Sequence, residues 1–520
     1  MSLARKIATV GGGTLVSRLL AFIRDAWIAA WLGAGLFSEA FFAMLQVINF
    51  FRRLLADGAL NGAFVPIWLK LRSGQSDKDG AANADRFTRR SLLAMLCVTG
   101  IAVLILVVLL PLVVAVIAPG FDEARRAVTV YLLIVAVPYI VLAGLVAVIA
   151  AALNAEGKVG AVTVSTIMFN VIMVAAVIIA ADSGILQFEF TLLLTGAIVL
   201  AGLAQLLITG ATWLATGRRW RRAASRIPDQ TRTLFTRAGP GLIAAGIPQL
   251  KLIAAAAIVS SSPAAVAWLY YANRLYELPL GVASIAISAV IVPRLVAAMR
   301  DGDALAGVQS RAFEMALGLA LPAAAGFALL ATPIAGGLFE RGAFTAADTV
   351  AVAAALTAIC AGLPGHVLEK VFGAVSYAQG DTRTPMLTAL CGLGVAIGGG
   401  LLLFPYYGYV GAAAAIALSG WVGATLLGLV VHKRRWLCLD AAAGSRLIRI
   451  VLSTVIMSAI VGAGLMAVHA AFPQQAHSLA GRVASLAALV TLGLAGYGVS
   501  LHVFGIIRLR DLGRTLHMAP

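Results

Sequence analysis

A small set of polar side chains interrupts stretches of this sequence that are otherwise apolar. Ser17, Arg18, Arg24 and Asp25 lie in the first stretch, Asn49, Arg52, Arg53 and Asp57 in the second, and Arg274 and Glu277 in a later one. A charge in hydrocarbon costs about 2.5–3.5 kcal/mol on insertion scales, so such residues face a wet interior or a partner. On a helix, Ser17 and Arg24 share one face and Arg18 and Asp25 the neighbouring one. Arg53 and Asp57 can pair across one turn, as can Arg274 and Glu277. These acids are too few to neutralise every arginine. A guanidinium is a planar fork of donors that matches phosphate oxygens. Arg24, Arg52 and Arg274 therefore point to a cationic cavity for an anionic, phosphorylated cargo. The competing reading is that the arginines are paired structural ions or reach for the interface, and it weighs most for Arg18 and Arg53. Lys251 and Lys370 are lone lysines that fit snorkelling, or pairing with Glu369.

The elements that carry these residues must be membrane helices. Of the 520 residues, 61% are hydrophobic and 12% charged, half the charge of a soluble domain, and the mean hydropathy is +0.98. Stretches such as 91–118 and 191–212 exceed the roughly 20 apolar residues that cross a bilayer. Soluble enzymes, disordered chains and disulfide scaffolds are excluded. The predicted fold is an all-α polytopic membrane protein of about fourteen spans. These lie near 7–33, 39–70, 91–118, 127–153, 159–181, 188–216, 238–260, 264–298, 312–338, 346–378, 385–404, 409–432, 445–469 and 482–507. The first is read as a retained helix, because no small-residue cleavage site follows it.

The net charge of +17 does not call for nucleic acid, because of where the charge sits. With the N-terminus inside, cytoplasmic segments hold 28 of the 39 lysines and arginines and the opposite loops hold four, Arg125, Arg126, Arg341 and Arg482. That asymmetry is the positive-inside pattern and predicts both termini in the cytoplasm. Cys97, Cys360, Cys391 and Cys438 form no CxxC or Cys/His ligand set, so no metal is expected. No catalytic triad, phosphate-cradling loop or HExxH stands out, which argues against an enzyme.

An internal repeat accompanies the spans. Tyr270-Tyr271-Ala272 and Val292-Pro293 echo Phe41-Phe42-Ala43 and Val65-Pro66, the Val-Pro pairs being 227 residues apart. Pro138 and Pro364, with the turns Ala152-Leu153-Asn154 and Ala378-Gln379-Gly380 that follow them, are 226 apart. An offset of six spans preserves orientation. The sequence thus predicts two six-helix lobes in a parallel pseudo-twofold repeat, 1–222 and 223–436, with spans one, two and eight around a central cavity, and two extra helices in 437–520. That is the plan of a rocking-bundle transporter. Gly11-Gly12-Gly13, Pro66, Pro279 and Pro293 would let helices bend or approach closely.

At this point the motifs resemble those of the MurJ (MviN) lipid II flippases. Ser17-Arg18, Arg24-Asp25, Gly33-Ala34-Gly35, Glu39-Ala40-Phe41-Phe42, Asn49, Arg52-Arg53, Asp57-Gly58-Ala59 and Ala63-Phe64-Val65-Pro66 occur in order. Ala118-Pro119-Gly120-Phe121, Tyr270-Tyr271-Ala272 with Arg274 and Glu277, Arg341-Gly342-Ala343-Phe344-Thr345 and Asp381-Thr382-Arg383-Thr384-Pro385 follow. The resemblance implies a MATE-like fold of the MOP exporter superfamily, fourteen helices, and a groove for a polyprenyl tail in the last two. It implies required arginines at Arg24, Arg52 and Arg274, with Arg18, Asp25 and Glu39 also implicated. The implied substrate is undecaprenyl-diphosphate-linked disaccharide pentapeptide, carried by alternating access from the cytoplasmic to the periplasmic leaflet of the bacterial inner membrane. No cofactor is implied; coupling is to the membrane potential or a monovalent ion, and the cell-wall synthesis machinery is the candidate partner. Glu39, Ile48 and Asp57 stand where the family commonly has aspartate, proline and glutamate. The stretch Ala155-Glu156-Gly157-Lys158-Val159-Gly160 replaces a Pro-rich one, which leaves room for another polyprenyl-linked glycan. A cation-coupled drug exporter would instead show acidic or aromatic cavity residues, and a membrane scaffold would leave the buried charges unexplained.

Overall fold

The computed structural model describes residues 3–56, 59–73, 77–181, 184–216, 230–287, 294–295, 305–471 and 478–506. Among these residues it is almost entirely α-helical, and ten segments are long and apolar enough to cross a membrane. In hydrocarbon every backbone N–H and C=O must be satisfied inside its own segment, which a helix achieves. The chain divides into two compact units, 1–263 and 264–520.

Unit 1 contains α1 (Leu3–Leu32), α2 (Leu36–Ala56), α3 (Ala59–Arg72), α4 (Asp77–Val108), α5 (Leu110–Ile117), α6 (Glu123–Ala136), α7 (Pro138–Ala155), α8 (Val159–Ala181), α9 (Gln187–Leu214) and α10 (Thr231–Val259). α8 packs between α1 and α9, α7 against α4 and α9, and α2 against α6. α10 lies on α2 and α3, so the compact unit takes in a helix that the repeat would group with the second half. A core of Trp68, Phe64, Phe87, Leu60 and Val148 joins α3, α4 and α7, with the Phe64 and Phe87 rings stacked at 4.8 Å. The basic stretch before Ser91, expected as a loop, is helical from Asp77 onward. At 1.5 Å per residue, its 32 residues reach roughly 48 Å, longer than the hydrocarbon is thick.

Two sequence motifs of unit 1 have local explanations. Asp122 caps α6 by accepting the Arg125 backbone N–H at 2.8 Å. That bond, with the Arg125 charge beside it, holds the Asp122 carboxyl below its ordinary range. Gly120 donates its N–H to Ser260 Oγ at 2.8 Å, and a Cβ there would overlap the backbone of Ser260 and Ser261. A side chain at 120 would push α10's C-terminal end away, so the motif needs glycine.

Unit 2 contains α11 (Ala265–Ala286), α12 (Leu305–Leu329), α13 (Ala331–Phe339), α14 (Ala346–Cys360), α15 (Leu363–Ala378), α16 (Arg383–Lys433), α17 (Ala443–Ala471) and α18 (Leu479–Val503). α14 packs on α11, α13 and α16, α15 lies along α16, and α17 and α18 rest on α12 and α13. Tyr271 is fully buried against Phe339 and Phe344 at 5.0 and 5.4 Å. Thr345 and Asp348 form a capping box that starts α14. The Tyr-Tyr-Ala and Arg-Gly-Ala-Phe-Thr motifs therefore meet in one core. The spans 123–155 and 346–378 share an interruption, at Val137 before Pro138 and at Ala361-Gly362 before Pro364.

α16 is two helices in succession. A straight helix of 51 residues would run roughly 76 Å, more than twice the hydrocarbon thickness. Gly408 breaks it with φ 56° and ψ −141°, a conformation closed to residues with a Cβ. A Cβ on Gly411 would lie 2.6 Å from the Leu403 carbonyl oxygen, and one on Gly399 3.3 Å from Ala415 Cβ. Those pairings are antiparallel, so the halves form a hairpin at the boundary expected between 404 and 409.

Asp381 and Arg434 clasp the open end of that hairpin. Asp381 accepts the Thr384 hydroxyl and backbone N–H and the Arg434 guanidinium. The Thr384 hydroxyl first, then its N–H and the arginine, pull the Asp381 carboxyl down to about 2. A carboxyl depressed in the fold adds stability above its unfolded pKa near 3.9 and loses it as pH falls toward 2. Arg434 is 45% exposed, so solvent screening limits the contribution to about 1 kcal/mol. Asp381→Asn is expected to lower the thermal midpoint at neutral pH, with wild type and variant converging between about pH 4 and 2. Equal midpoints at pH 7 would dismiss the clasp.

Candidate functional site

In unit 1 the charged residues of α1 are tied into a buried network. Arg24 donates from Nε and Nη2 to Asp25 Oδ1 at 2.9 and 2.7 Å, and from Nη1 to Asn170 Oδ1 at 3.3 Å. Asn170, on α8, donates in turn to the Ser17 carbonyl at 3.1 Å and to Ser17 Oγ at 2.9 Å. All four are less than a tenth exposed. Ser17 and Arg24 do share a face, and Asn170 bridges them. Asp25 takes its adjacent arginine, although the helical wheel sets it beside Arg18. The reason is reach: the long Arg24 side chain folds back along the helix onto the neighbouring carboxylate. Arg18 is half-buried, with no hydrogen bond or ion pair to it among the described residues.

A second network surrounds the start of α2. Glu39, 2% exposed, accepts Arg125 Nη1 at 3.0 Å. Arg125 is 9% exposed, reaches Asp122 Oδ2 at 3.2 Å, and lies 5.1 Å above the Phe121 ring. The sequence places Arg125 in a loop, and its pairing with Glu39, 86 residues away, is a finding of the fold. Further along α2, Arg52 Nε donates to Asn49 Oδ1 at 3.3 Å and both are half-buried. Asp57, the expected partner of Arg53, lies outside the described residues.

In unit 2, Arg274 and Glu277 form the expected pair, Nη1 to Oε2 at 3.3 Å, each side chain 25% exposed. One residue before Glu277, Tyr276 points its hydroxyl at His366 Nδ1, 2.8 Å away. Lys251 is buried in unit 1 and Lys370 exposed in unit 2. Glu156, in the stretch that departs from the family pattern, lies 3.8 Å from Arg72 and 3.9 Å from Lys158. The residues that sequence reasoning missed are Asn170, Arg125, Asp122, Tyr276 and His366. The available signal was a polar residue isolated in an apolar run, as Asn170 and His366 are.

Arginines inside membrane helices, with carboxylates to hold them, suit a polar anionic cargo. Among the described residues no group of three or more His, Cys, Asp or Glu could hold a metal. Such a chain is a multi-pass membrane protein of the transporter class. Its family is shown by the family model described as "Lipid II flippase MurJ", which matches residues 28–481: the chain belongs to the lipid II flippase MurJ family. A protein of Rhizobium meliloti (strain 1021) named "Probable lipid II flippase MurJ" is 36% identical over 505 residues, covering 96% of this chain and 93% of that one. The "Lipid II flippase MurJ" of Burkholderia cenocepacia is 29% identical, covering 84% of each. Among solved structures, a lipid II flippase MurJ in an inward closed conformation aligns with TM-score 0.78 at 19% identity, over 97% of this chain and 99% of that one. An inward-facing MATE family multidrug transporter of the MOP superfamily aligns with TM-score 0.67 at 16% identity, over 80% and 94%. These two likenesses are of fold, and they agree with the MATE-like expectation.

Proposed function

We propose that this chain moves lipid II, the undecaprenyl-diphosphate-linked disaccharide pentapeptide, from the cytoplasmic to the periplasmic leaflet of the bacterial inner membrane by alternating access. The observation that carries the reading is the family match over residues 28–481, which includes Arg52 and Arg274. Arg18, Arg24, Arg52 and Arg274 supply guanidinium forks for the diphosphate, and Ser17, Asp25, Glu39, Asn49 and Glu277 position them. The chain crosses the membrane fourteen times with both termini in the cytoplasm. Supporting that count are the ten membrane-length segments, the halving of one of them at Gly408, and the further helices α1, α10 and α11. The 28-to-4 division of basic residues supports the orientation. The interruptions shared before Pro138 and Pro364 support a duplicated core of 1–222 and 223–436. Residues 437–520 then form the polyprenyl-tail groove. Transport draws on the membrane potential or a monovalent ion, and delivers its cargo to the cell-wall synthesis machinery.

The test is complementation of a flippase-depleted bacterium with leaflet-specific labelling of lipid II. Within it, Arg274→Ala is compared with Arg274→Ala plus Glu277→Ala for abundance and translocation. Both side chains are a quarter exposed, so the single variant is expected to accumulate normally and lose translocation. Losing one charge-assisted hydrogen bond costs about 1.5–3 kcal/mol, roughly ten- to a hundred-fold in affinity. The double variant is expected to stay inactive. Recovery of translocation there would make Arg274 a structural ion. Growth without lipid II movement would redirect the function to another polyprenyl-diphosphate-linked glycan.

A further inference from the structure

Unit 2 holds a titratable pair that the cargo reading does not use. Of the four histidines among the described residues, His432, His469 and His502 lie in the last turns of α16, α17 and α18. His366 alone stands near the middle of a membrane-length segment, Ala346–Ala378. It follows the break between α14 and α15 by one turn. Its Nδ1 lies 2.8 Å from Tyr276 Oη and 3.1 Å from the Gly362 carbonyl oxygen, the carbonyl at the break itself. Tyr276 is 4% exposed and His366 half-buried.

The packing leaves deliberate room for these polar side chains. A Cβ on Gly420 of α16 would come 2.5 Å from His366 Nδ1, and one on Gly423 would come 2.8 Å from Glu369 Cδ. Two glycines one turn apart thus face two ionisable residues one turn apart on α15. From α11 the charged neighbours are Arg274 and Glu277, and on α15 itself Glu369 and Lys370. Tyr276 is within electrostatic reach of Cys360 of α14, Glu369 and Glu277. α16 presents no titratable residue between Ala412 and Val431. α12 meets α15 through Phe313 and Phe372, and its ionisable residues, Arg311 and Glu314, lie at that end.

We propose that His366 is a proton-binding site of unit 2, and that taking up a proton there changes the hydrogen bonding at the α14–α15 break. It rests on the transport reading above and names the proton as the coupling ion. With the ring proton on Nε2, Nδ1 accepts the Tyr276 hydroxyl, and the Gly362 carbonyl faces a lone pair. A proton taken from solvent settles on Nδ1, the ring gains one positive charge, and Nδ1–H donates to the Gly362 carbonyl. The Tyr276 hydroxyl must then rotate away, its oxygen now an acceptor. Histidine changes charge between about pH 5 and 8, so the exchange falls in the working range of a cell. The Gly362 carbonyl also accepts the His366 backbone N–H at 2.9 Å, so the switched bond acts on the first hydrogen bond of α15, beside the break.

The test pairs a direct reading of the ring with transport. The chain has six histidines, so ring-labelled protein shows few resonances, and His366→Asn identifies the one that belongs to position 366. That resonance is expected to titrate between about pH 5 and 8 and to shift its midpoint in Tyr276→Phe. Lipid II translocation in proteoliposomes is expected to change severalfold between pH 5.5 and 7.5 in the wild type. His366→Asn keeps a hydrogen-bonding atom near the Nδ1 position but cannot titrate there, so its rate should not vary with pH. A ring that stays in one state, or a variant with the wild-type pH profile, overturns the proposal. A ring that titrates in a protein moving no lipid II at any pH leaves the proton site standing and sinks the transport reading instead.

Discussion

Asp25→Ala is expected to cut the amount of folded protein sharply. Asp25 is 1% exposed and accepts two hydrogen bonds from Arg24, itself 7% exposed. Removing the carboxylate strands a buried guanidinium whose remaining contact in the network is Asn170. Breaking one side of a buried pair costs about 3–5 kcal/mol, a large share of a domain's stability. Arg24→Ala takes two hydrogen bonds from the buried Asp25 and is expected to lower abundance too, and the double variant to recover most of the loss. Translocation should not follow abundance, because the double variant also lacks the guanidinium proposed to hold the diphosphate. Arg24→Lys keeps the charge without the fork, so it should recover only part of the activity. Abundance and thermal midpoint of tagged protein check the first part, and leaflet-specific labelling of lipid II the second. Full abundance of Arg24→Ala alone would show the pair to be dispensable for folding, and activity in the double variant would remove Arg24 from cargo binding.

The second large effect concerns Glu39. Arg125→Ala removes three contacts at once, to the buried Glu39, to Asp122 and to the Phe121 ring, at about 3–5 kcal/mol. Glu39→Ala is expected to cost less, because Arg125 keeps Asp122 and the Phe121 ring. That asymmetry separates the network from a simple pair. A buried bridge is poorly screened, so the loss should persist in 1 M salt, where a surface pair would fade. Thermal midpoints of the two single variants and the double variant, at low and high salt, decide it. Equal losses from both single variants would mean that Asp122 and Phe121 add nothing.

Glu39 illustrates how far a residue's role can be read from a sequence. Its motif marks it as functional by resemblance, but the chain does not announce that Arg125, counted there among loop residues, is its partner. The same holds for Arg24, whose carboxylate is its neighbour in the chain and whose amide partner lies 146 residues on. These pairings need not conflict with a transport role. An arginine held by one carboxylate still offers donors to an arriving phosphate, and its pre-set geometry lowers the entropy lost on binding.

What the sequence alone determined is everything that one segment decides for itself. Apolar runs longer than the hydrocarbon is thick must become helices, because nothing else satisfies their backbone in lipid. Asp122, Thr345 with Asp348, and Asp381 start helices through bonds to residues three positions away. Gly408 turns one overlong run into a hairpin, since no residue with a Cβ adopts its conformation readily. The motif order, also linear, identifies the family. The tertiary structure decided which polar side chains meet. Arg24 with Asn170, Arg125 with Glu39 and Tyr276 with His366 are joined across different helices. Such a meeting depends on which faces of two helices pack and at what axial register, and neither is written in either helix. A buried charge signals that a partner must exist, because the cost of leaving it alone is prohibitive, but only the packing of non-local helices says which one.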